Sequence, residues 1–121
     1  MSAQRYETIS SGQLDRRMTE ESPNNTDPKE GFALVNVLAP RAFEEEHIPN
    51  SINIPGDELE RFEERFDKDK EIVVYCASTE CDASPKAAEE LSRRGFGRVQ
   101  DYEAGLRDWK ESGHAVASGA T

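Results

Sequence analysis

Two short apolar runs and a third strand-like one, set apart by stretches patterned for helices, constrain this chain more than anything else in it. Phe32-Ala33-Leu34-Val35-Asn36-Val37 and Ile72-Val73-Val74-Tyr75 are apolar at nearly every position, and Arg98 to Tyr102 makes a third strand-like run. Runs of this length without alternation suit strands covered on both faces, as in a parallel sheet. Parallel neighbours need a crossover, and helices are the usual one. The expected architecture is an α/β fold, a doubly wound parallel sheet with helices on both faces. At 121 residues the chain suits one domain, residues 1–121, with a core over 5–117 and a short flexible C-terminal tail.

The intervening segments fill in the pattern. Glu7-Thr8-Ile9 suits a short strand, and Ser10 with Gln13 makes a capping box for a helix carrying Leu14 and Met18. Residues 19–30 are polar, hold two prolines, and predict an exposed, mobile loop. Pro40 to Glu46 suits one or two helical turns with Phe43 inward, and Ser51–Ile54 a short strand stopped by Pro55-Gly56. Asp57 and Glu60 are candidate caps for a helix whose Leu59, Phe62 and Phe66 share a face. Leu106 and Trp109 belong to a last helix closed by Gly113.

Acidic residues outnumber basic ones by 25 to 15, for a formal net charge of −10. Nucleic acids and anionic membranes are bound by clustered Lys and Arg, so neither is an expected partner. Met1 to Thr8 has no apolar leader, and no run approaches the length of a membrane span. Two cysteines in such a chain point to a reducing cytoplasm. There is no cofactor motif, and nothing calls for more than a monomer.

The chemistry centres on Cys76. An apolar strand ends on this thiol, the loop Ala77-Ser78-Thr79-Glu80-Cys81-Asp82-Ala83 follows, and Ser84-Pro85 opens a helix, with Ser84 as its cap. Open α/β sheets bind and react at that end of their strands. Loop N–H groups and the helix dipole there favour an anion, so a lowered thiol pKa and a nucleophilic sulfur are expected.

Taken in order, several blocks resemble the rhodanese-homology family of single-domain sulfurtransferases. Leu34-Val35-Asn36-Val37 is similar to the family's L-I-D-V-R strand. Phe43 to Pro55, with His47-Ile48-Pro49-Asn50 and Ile52-Asn53-Ile54-Pro55, is close to its E-F-x-x-G-H-I-P-G-A-I-N-I-P signature. Val73-Val74-Tyr75-Cys76 matches the strand that delivers the reactive cysteine. Tyr102-Glu103-Ala104-Gly105-Leu106 with Trp109 and Gly113 resembles the closing Y-x-G-G-x-x-x-W-x-x-x-G. Separated motifs in the right order are more specific than any single one.

The resemblance implies that Cys76 takes up a sulfane sulfur as a persulfide and passes it to a thiophilic acceptor. Ala77, Ser78, Thr79, Glu80, Asp82, Ala83 and Ser84 would line its cradle. The implied partners are a small-molecule or protein persulfide donor and a thiol acceptor. Departures are clear: Asn36 stands for the usual Asp, Leu38 for an Arg, and Asn50 for a turn Gly. The loop is also longer than usual, lacks Arg, Lys and Gly, and adds Cys81, as in a double-cysteine subgroup.

Cys81 has three readings: a thiol that resolves Cys76 as a disulfide, a metal ligand with Cys76, His47 or His114, or a spectator. The spacing is not a zinc pattern, and no metal site is expected. Glu80 and Asp82 would oppose the dianion thiosulfate and raise the thiol pKa, which predicts poor use of that donor. Ser78, Thr79 and Ser84 offer hydroxyls either to a persulfide or to the local backbone. His47 suits a structural turn. Two other functions fit the scaffold: a dithiol redox sensor or non-catalytic sulfur-carrier or docking module, and a phosphatase or arsenate reductase. The last would need an Arg closing the loop, where this chain has Asp82.

Overall fold

In the computed structural model, which describes residues 6–119, the apolar runs lie side by side in one sheet. Its strands are β1 (Glu7–Thr8), β2 (Phe32–Asn36), β3 (Ile52–Asn53), β4 (Glu71–Tyr75) and β5 (Val99–Tyr102). They run in the order β1-β5-β4-β2-β3, and every pairing is parallel. Every residue of β2 and β4 is buried, as their largely apolar sequences require, with Asn36 and Glu71 the polar residues at their ends. After β2 the chain moves outward to β3, and after β4 it moves the other way to β5. The carboxyl ends of β2 and β4 therefore flank a topological switch point, where α/β sheets leave a crevice.

Among the described residues five helices cover the sheet: α1 (Ser11–Glu20), α2 (Pro40–Glu45), α3 (Glu60–Arg65), α4 (Ala83–Arg93) and α5 (Gly105–Glu111). The two-residue period of the strands divides the core. Ala33, Val35, Ile72, Val74 and Val99 face α3 and α4, meeting Phe62, Ala87, Ala88 and Leu91. Phe32, Leu34, Val73, Tyr75 and Tyr102 face the other way, onto Leu14 of α1 and Leu106 and Trp109 of α5. The expected covering of both faces is what the chain adopts.

Local signals held where a side chain was free to act. Ser10 and Gln13 form the reciprocal capping box of α1, with bonds of 3.2 and 2.9 Å. Asn50 takes the left-handed φ of 68° expected of a residue standing in for glycine. The cap expected for α3 is absent: Leu59 occupies that position, and neither Asp57 nor Glu60 caps it. Leu59 must enter the core, so backbone bonds from Glu58 N–H to Pro55 and Arg61 N–H to Glu58 turn the chain instead.

The polar segment at 19–30 also departs from expectation. Its first two residues finish α1, and the rest is fastened rather than loose. Asn24 Oδ1 accepts the amides of Thr26 and Asp27, and Asn25 Oδ1 accepts that of Leu34. The fully buried Lys70 donates to the carbonyls of Asn24, Asp27 and Glu30. A long-range ammonium thus replaces secondary structure as the organiser of this loop. Lys70→Met should lower stability by about 2–4 kcal/mol, since three carbonyls lose their donor. Urea unfolding would measure this, with faster amide exchange confined to the loop.

His47 is buried, stacks on Phe43, and joins Ala117 through bonds of 2.9 and 2.8 Å. Gly119 N–H donates to Glu44. The expected core boundary at residue 5 and the last two residues of the expected flexible tail lie outside the described residues.

Candidate active site

Cys76 follows β4 directly and is fully buried among the side chains between the sheet and α3 and α4. The base of its loop is clamped from beneath by the start of α5. Leu106 N–H donates to the Cys76 carbonyl at 2.9 Å, and Arg107 N–H to the Ala77 carbonyl at 2.8 Å. That approach requires Gly105, whose φ is +74°; a Cβ there would lie 2.6 Å from the Cys76 carbonyl oxygen.

Within the loop, Cys81 N–H donates to the Ser78 carbonyl and Glu80 N–H to the Ser78 hydroxyl. Both amides are thereby turned away from the sulfur. What faces Sγ instead is the Cys81 carbonyl at 3.3 Å, the Ser78 carbonyl at 4.0 Å and the Ser84 hydroxyl at 3.4 Å. Carbonyl acceptors suit a neutral S–H. Burial pushes the Cys76 thiol up to about 11, the neighbouring Cys81 thiol adds to this, and the hydroxyl and amide of Ser84 act the other way. The lowered pKa expected from the sequence is not found in this closed loop, because desolvation and the second thiol outweigh the hydroxyl and amide at the helix start.

The cradle residues expected from the sequence divide by exposure. Ala77, Thr79, Glu80 and Asp82 face solvent, Ser78, Cys81 and Ala83 are half-buried, and Ser84 is buried. Ser84 is not the helix cap: α4 begins at Ala83, Asp82 holds the cap position without a side-chain bond, and Ser84 turns inward to the thiol. Pro85 is then the third helical residue, still within the turn that needs no N–H. Cys81 carries a free thiol, as Cys76 does, and packs against the same core. Asp82 is paired with Lys86 at 2.9 Å, each side chain 75% exposed, which offsets half of the negative charge expected beside the thiol.

Asn36, in the place of the usual Asp, accepts the Leu38 amide at 2.8 Å through Oδ1, a bond that a carboxylate oxygen could equally make. A hollow of about 750 Å³ opens at the switch point, between Val37, Ala39 and Pro40, Pro55-Gly56 and the start of α4 at Asp82 and Ala83. Cys76 is not on its wall. A smaller one, about 390 Å³, lies across the loop, where Ala77 and Ser78 meet Arg107 and Lys110. Among the described residues no group of three or more His, Cys, Asp or Glu is placed to hold a metal ion. His114 stacks on Trp109, well apart in its setting from His47.

Two contributors escaped the sequence reading. Gly105 was seen as part of a motif without its contact to the loop. Asp101 was not singled out at all, although a charge two residues from the inward-facing Val99 must also face inward.

Residues 13–112 match the family model described as Rhodanese-like domain. The thiosulfate sulfurtransferase GlpE of Pseudomonas syringae is 34% identical over 82 residues, covering 68% of this chain and 76% of that protein. The putative sulfur carrier protein YrkF of Bacillus subtilis is 29% identical over 90 residues, or 74% of this chain and 48% of that one. The crystal structure of the BH2092 protein from Bacillus halodurans superposes with a TM-score of 0.80 at 29% identity, covering 96% of this chain and 79% of that chain. Among the described residues no helix is long and apolar enough to cross a membrane.

Proposed function

The chain belongs to the rhodanese-like domain family of sulfurtransferases, and from that premise we propose that Cys76 takes up sulfane sulfur as a persulfide and hands it to a thiol or other thiophilic acceptor. The observation that carries this reading is the placement of a buried thiol at the carboxyl end of the central strand, against the first turn of α4. In uptake, the Cys76 sulfur attacks the outer sulfur of a donor persulfide. The donor's S–S bond breaks and its electron pair leaves on the donor sulfur, so one S–S bond replaces another without net oxidation. Release to an acceptor thiol repeats the exchange in reverse order. Ser84 would steady the added sulfur through its hydroxyl and amide, while Ala77 to Ala83 form the wall that must move to admit the donor.

The donor we favour is a persulfide, small or protein-borne. Thiosulfate would approach a loop without Arg or Lys, and Glu80 stays unpaired there although Lys86 offsets Asp82. Cys81, next to Cys76 in this loop, would be the resolving thiol, and two free thiols suit a reducing cytoplasm. The chain would act as a monomer with no cofactor. A dithiol sensor or sulfur-carrier module is the second reading, favoured by the contact between the two cysteines and by the name of the Bacillus subtilis relative.

Intact-mass measurement on reduced protein tests these readings. Gain of one sulfur atom from a low-molecular-weight persulfide, with less from thiosulfate, is the expected result. Loss of two hydrogens under mild oxidant, with no sulfur gain from either donor, would replace the sulfurtransferase by the dithiol sensor. A low KM for thiosulfate would refute the donor preference alone.

A further inference from the structure

The sheet buries two carboxyls that the reaction above leaves unused, and only one of them, unlike Glu71 with its partner Arg17, stands without an ion pair. Asp101 of β5 faces the same side as Val99, Val74 and Cys76. It is fully buried, and neither carboxylate oxygen has a hydrogen-bond partner. Folded proteins rarely leave such a group unsatisfied without a use.

Among the described residues its surroundings hold no cation. From α4 it is faced by Ser84, close enough that the hydroxyl favours the ionised carboxyl; from the end of its own strand Glu103 opposes ionisation. β4 brings Val74 opposite it in register, with Cys76 beyond, and β1 brings Thr8 opposite, with Tyr6 packed on the same face. The charges at the start of α4, Asp82 and Lys86, pair with each other in solvent. Burial, the largest influence, raises the Asp101 carboxyl from 3.8 to about 6.

Ser84 thus stands between two groups. Its Oγ is 3.4 Å from Cys76 Sγ, and its hydroxyl lies near enough to favour the ionised Asp101 carboxyl without a formed hydrogen bond to it, so that contact closes only when the hydroxyl turns toward Asp101. We propose that Asp101 is a positioning residue for sulfur uptake that draws the proton off Cys76 through the Ser84 hydroxyl. The Cys76 S–H gives its proton to Ser84 Oγ while the Ser84 O–H gives its own to the Asp101 carboxylate. The products are a thiolate and a neutral carboxylic acid; only bonds to hydrogen change, and no oxidant or reductant is needed. After the thiolate attacks the donor, the leaving sulfur takes a proton from water and Asp101 returns its proton to water. One buried negative charge moves from carboxyl to sulfur, so the site never carries two. This also explains how a thiol held neutral by its loop becomes a nucleophile.

The inference rests on Cys76 being the reacting thiol, and its test reads that thiol rather than sulfur transfer. In a Cys81→Ser background, so that one thiol reports, the rate of Cys76 alkylation by iodoacetamide is followed across pH by intact mass. The rate should rise through an inflection near pH 6 as Asp101 ionises. Asp101→Asn and Ser84→Ala should each lose the inflection and be slower by on the order of tenfold at neutral pH.

Stability should move the opposite way. A carboxyl raised in the fold supports stability below its unfolded pKa and loses that contribution as pH rises to about 6, so Asp101→Asn should be at least as stable at neutral pH. No inflection in the parent protein, or alkylation of Asp101→Asn as fast as the parent or faster, overturns the proposal. Should the Asn variant fail to fold, the parent's inflection decides. Loss of sulfur uptake with the inflection intact would count against the sulfurtransferase reading and leave this one standing.

Discussion

Cys76→Ser is expected to reduce sulfur transfer to background, a fall in kcat/KM on the order of a thousandfold or more. Serine keeps the shape of the site and its hydrogen bond to the Cys81 carbonyl, so the fold should survive. What it cannot do is hold a sulfane sulfur, because its hydroxyl is far less acidic and far less nucleophilic toward sulfur than a thiol. Kinetics with a persulfide donor and a thiol acceptor would measure the loss, and unchanged urea unfolding would assign it to chemistry. Transfer that persisted in Cys76→Ser but vanished in Cys81→Ser would move the nucleophile to the second cysteine.

Gly105→Ala should carry the largest stability cost of any glycine-to-alanine change among the described residues. The new Cβ would stand 2.6 Å from the Cys76 carbonyl oxygen, 2.8 Å from the Ala77 carbonyl carbon and 2.8 Å from the Ser78 nitrogen. All three are backbone, so no side chain can swing aside to relieve them. The φ of +74° adds the usual left-handed penalty of about 1 kcal/mol, and together these should cost about 3–5 kcal/mol. Gly113→Ala is the internal comparison: its φ is +91°, but nothing lies within 4 Å. Urea unfolding should therefore show a loss of about 1 kcal/mol for Gly113→Ala and several times that for Gly105→Ala. Sulfur transfer should fall as well in Gly105→Ala, because the two amide clamps on Cys76 and Ala77 would have to lengthen. Equal losses in the two variants would show that the loop yields freely, and would remove Gly105 from the site.

These two effects reach the same loop by different routes. Cys76 is where the reaction would occur, and Gly105 is what permits α5 to press close enough to hold it there. The segment between Cys76 and Ser84 is bonded to the fold at its base and at its end, while Thr79 and Glu80 at its tip are exposed. A donor would enter by displacing that tip, toward either the hollow at the switch point or the smaller one beside Arg107.

Much of the frame was legible in the chain. Apolar runs such as Phe32 to Val37 and Ile72 to Tyr75 marked strands buried on both sides, and Ser10 with Gln13 marked a helix start. Both are local signals: periodicity and capping depend on residues within a turn or two. The placement of Cys76 at the end of β4 follows from the same local pattern. Polar partnerships were another matter. Lys70 meets carbonyls 40 or more residues earlier in the chain, which turned an apparently loose segment into a fastened one. Ser84, a cap by local pattern, points to a thiol because α4 begins two residues sooner. The direction of the Cys76 pKa shift depended on how deeply the fold buries the sulfur and on the second thiol beside it, and carbonyls face it where amides were expected. Asp101 became a buried, unpartnered carboxyl only once β5, β4 and α4 were brought together. Apolar patterning is written along the chain because every apolar residue seeks the same thing, removal from water. A polar group needs a particular partner at a particular distance, and only the packed fold decides which partner that is.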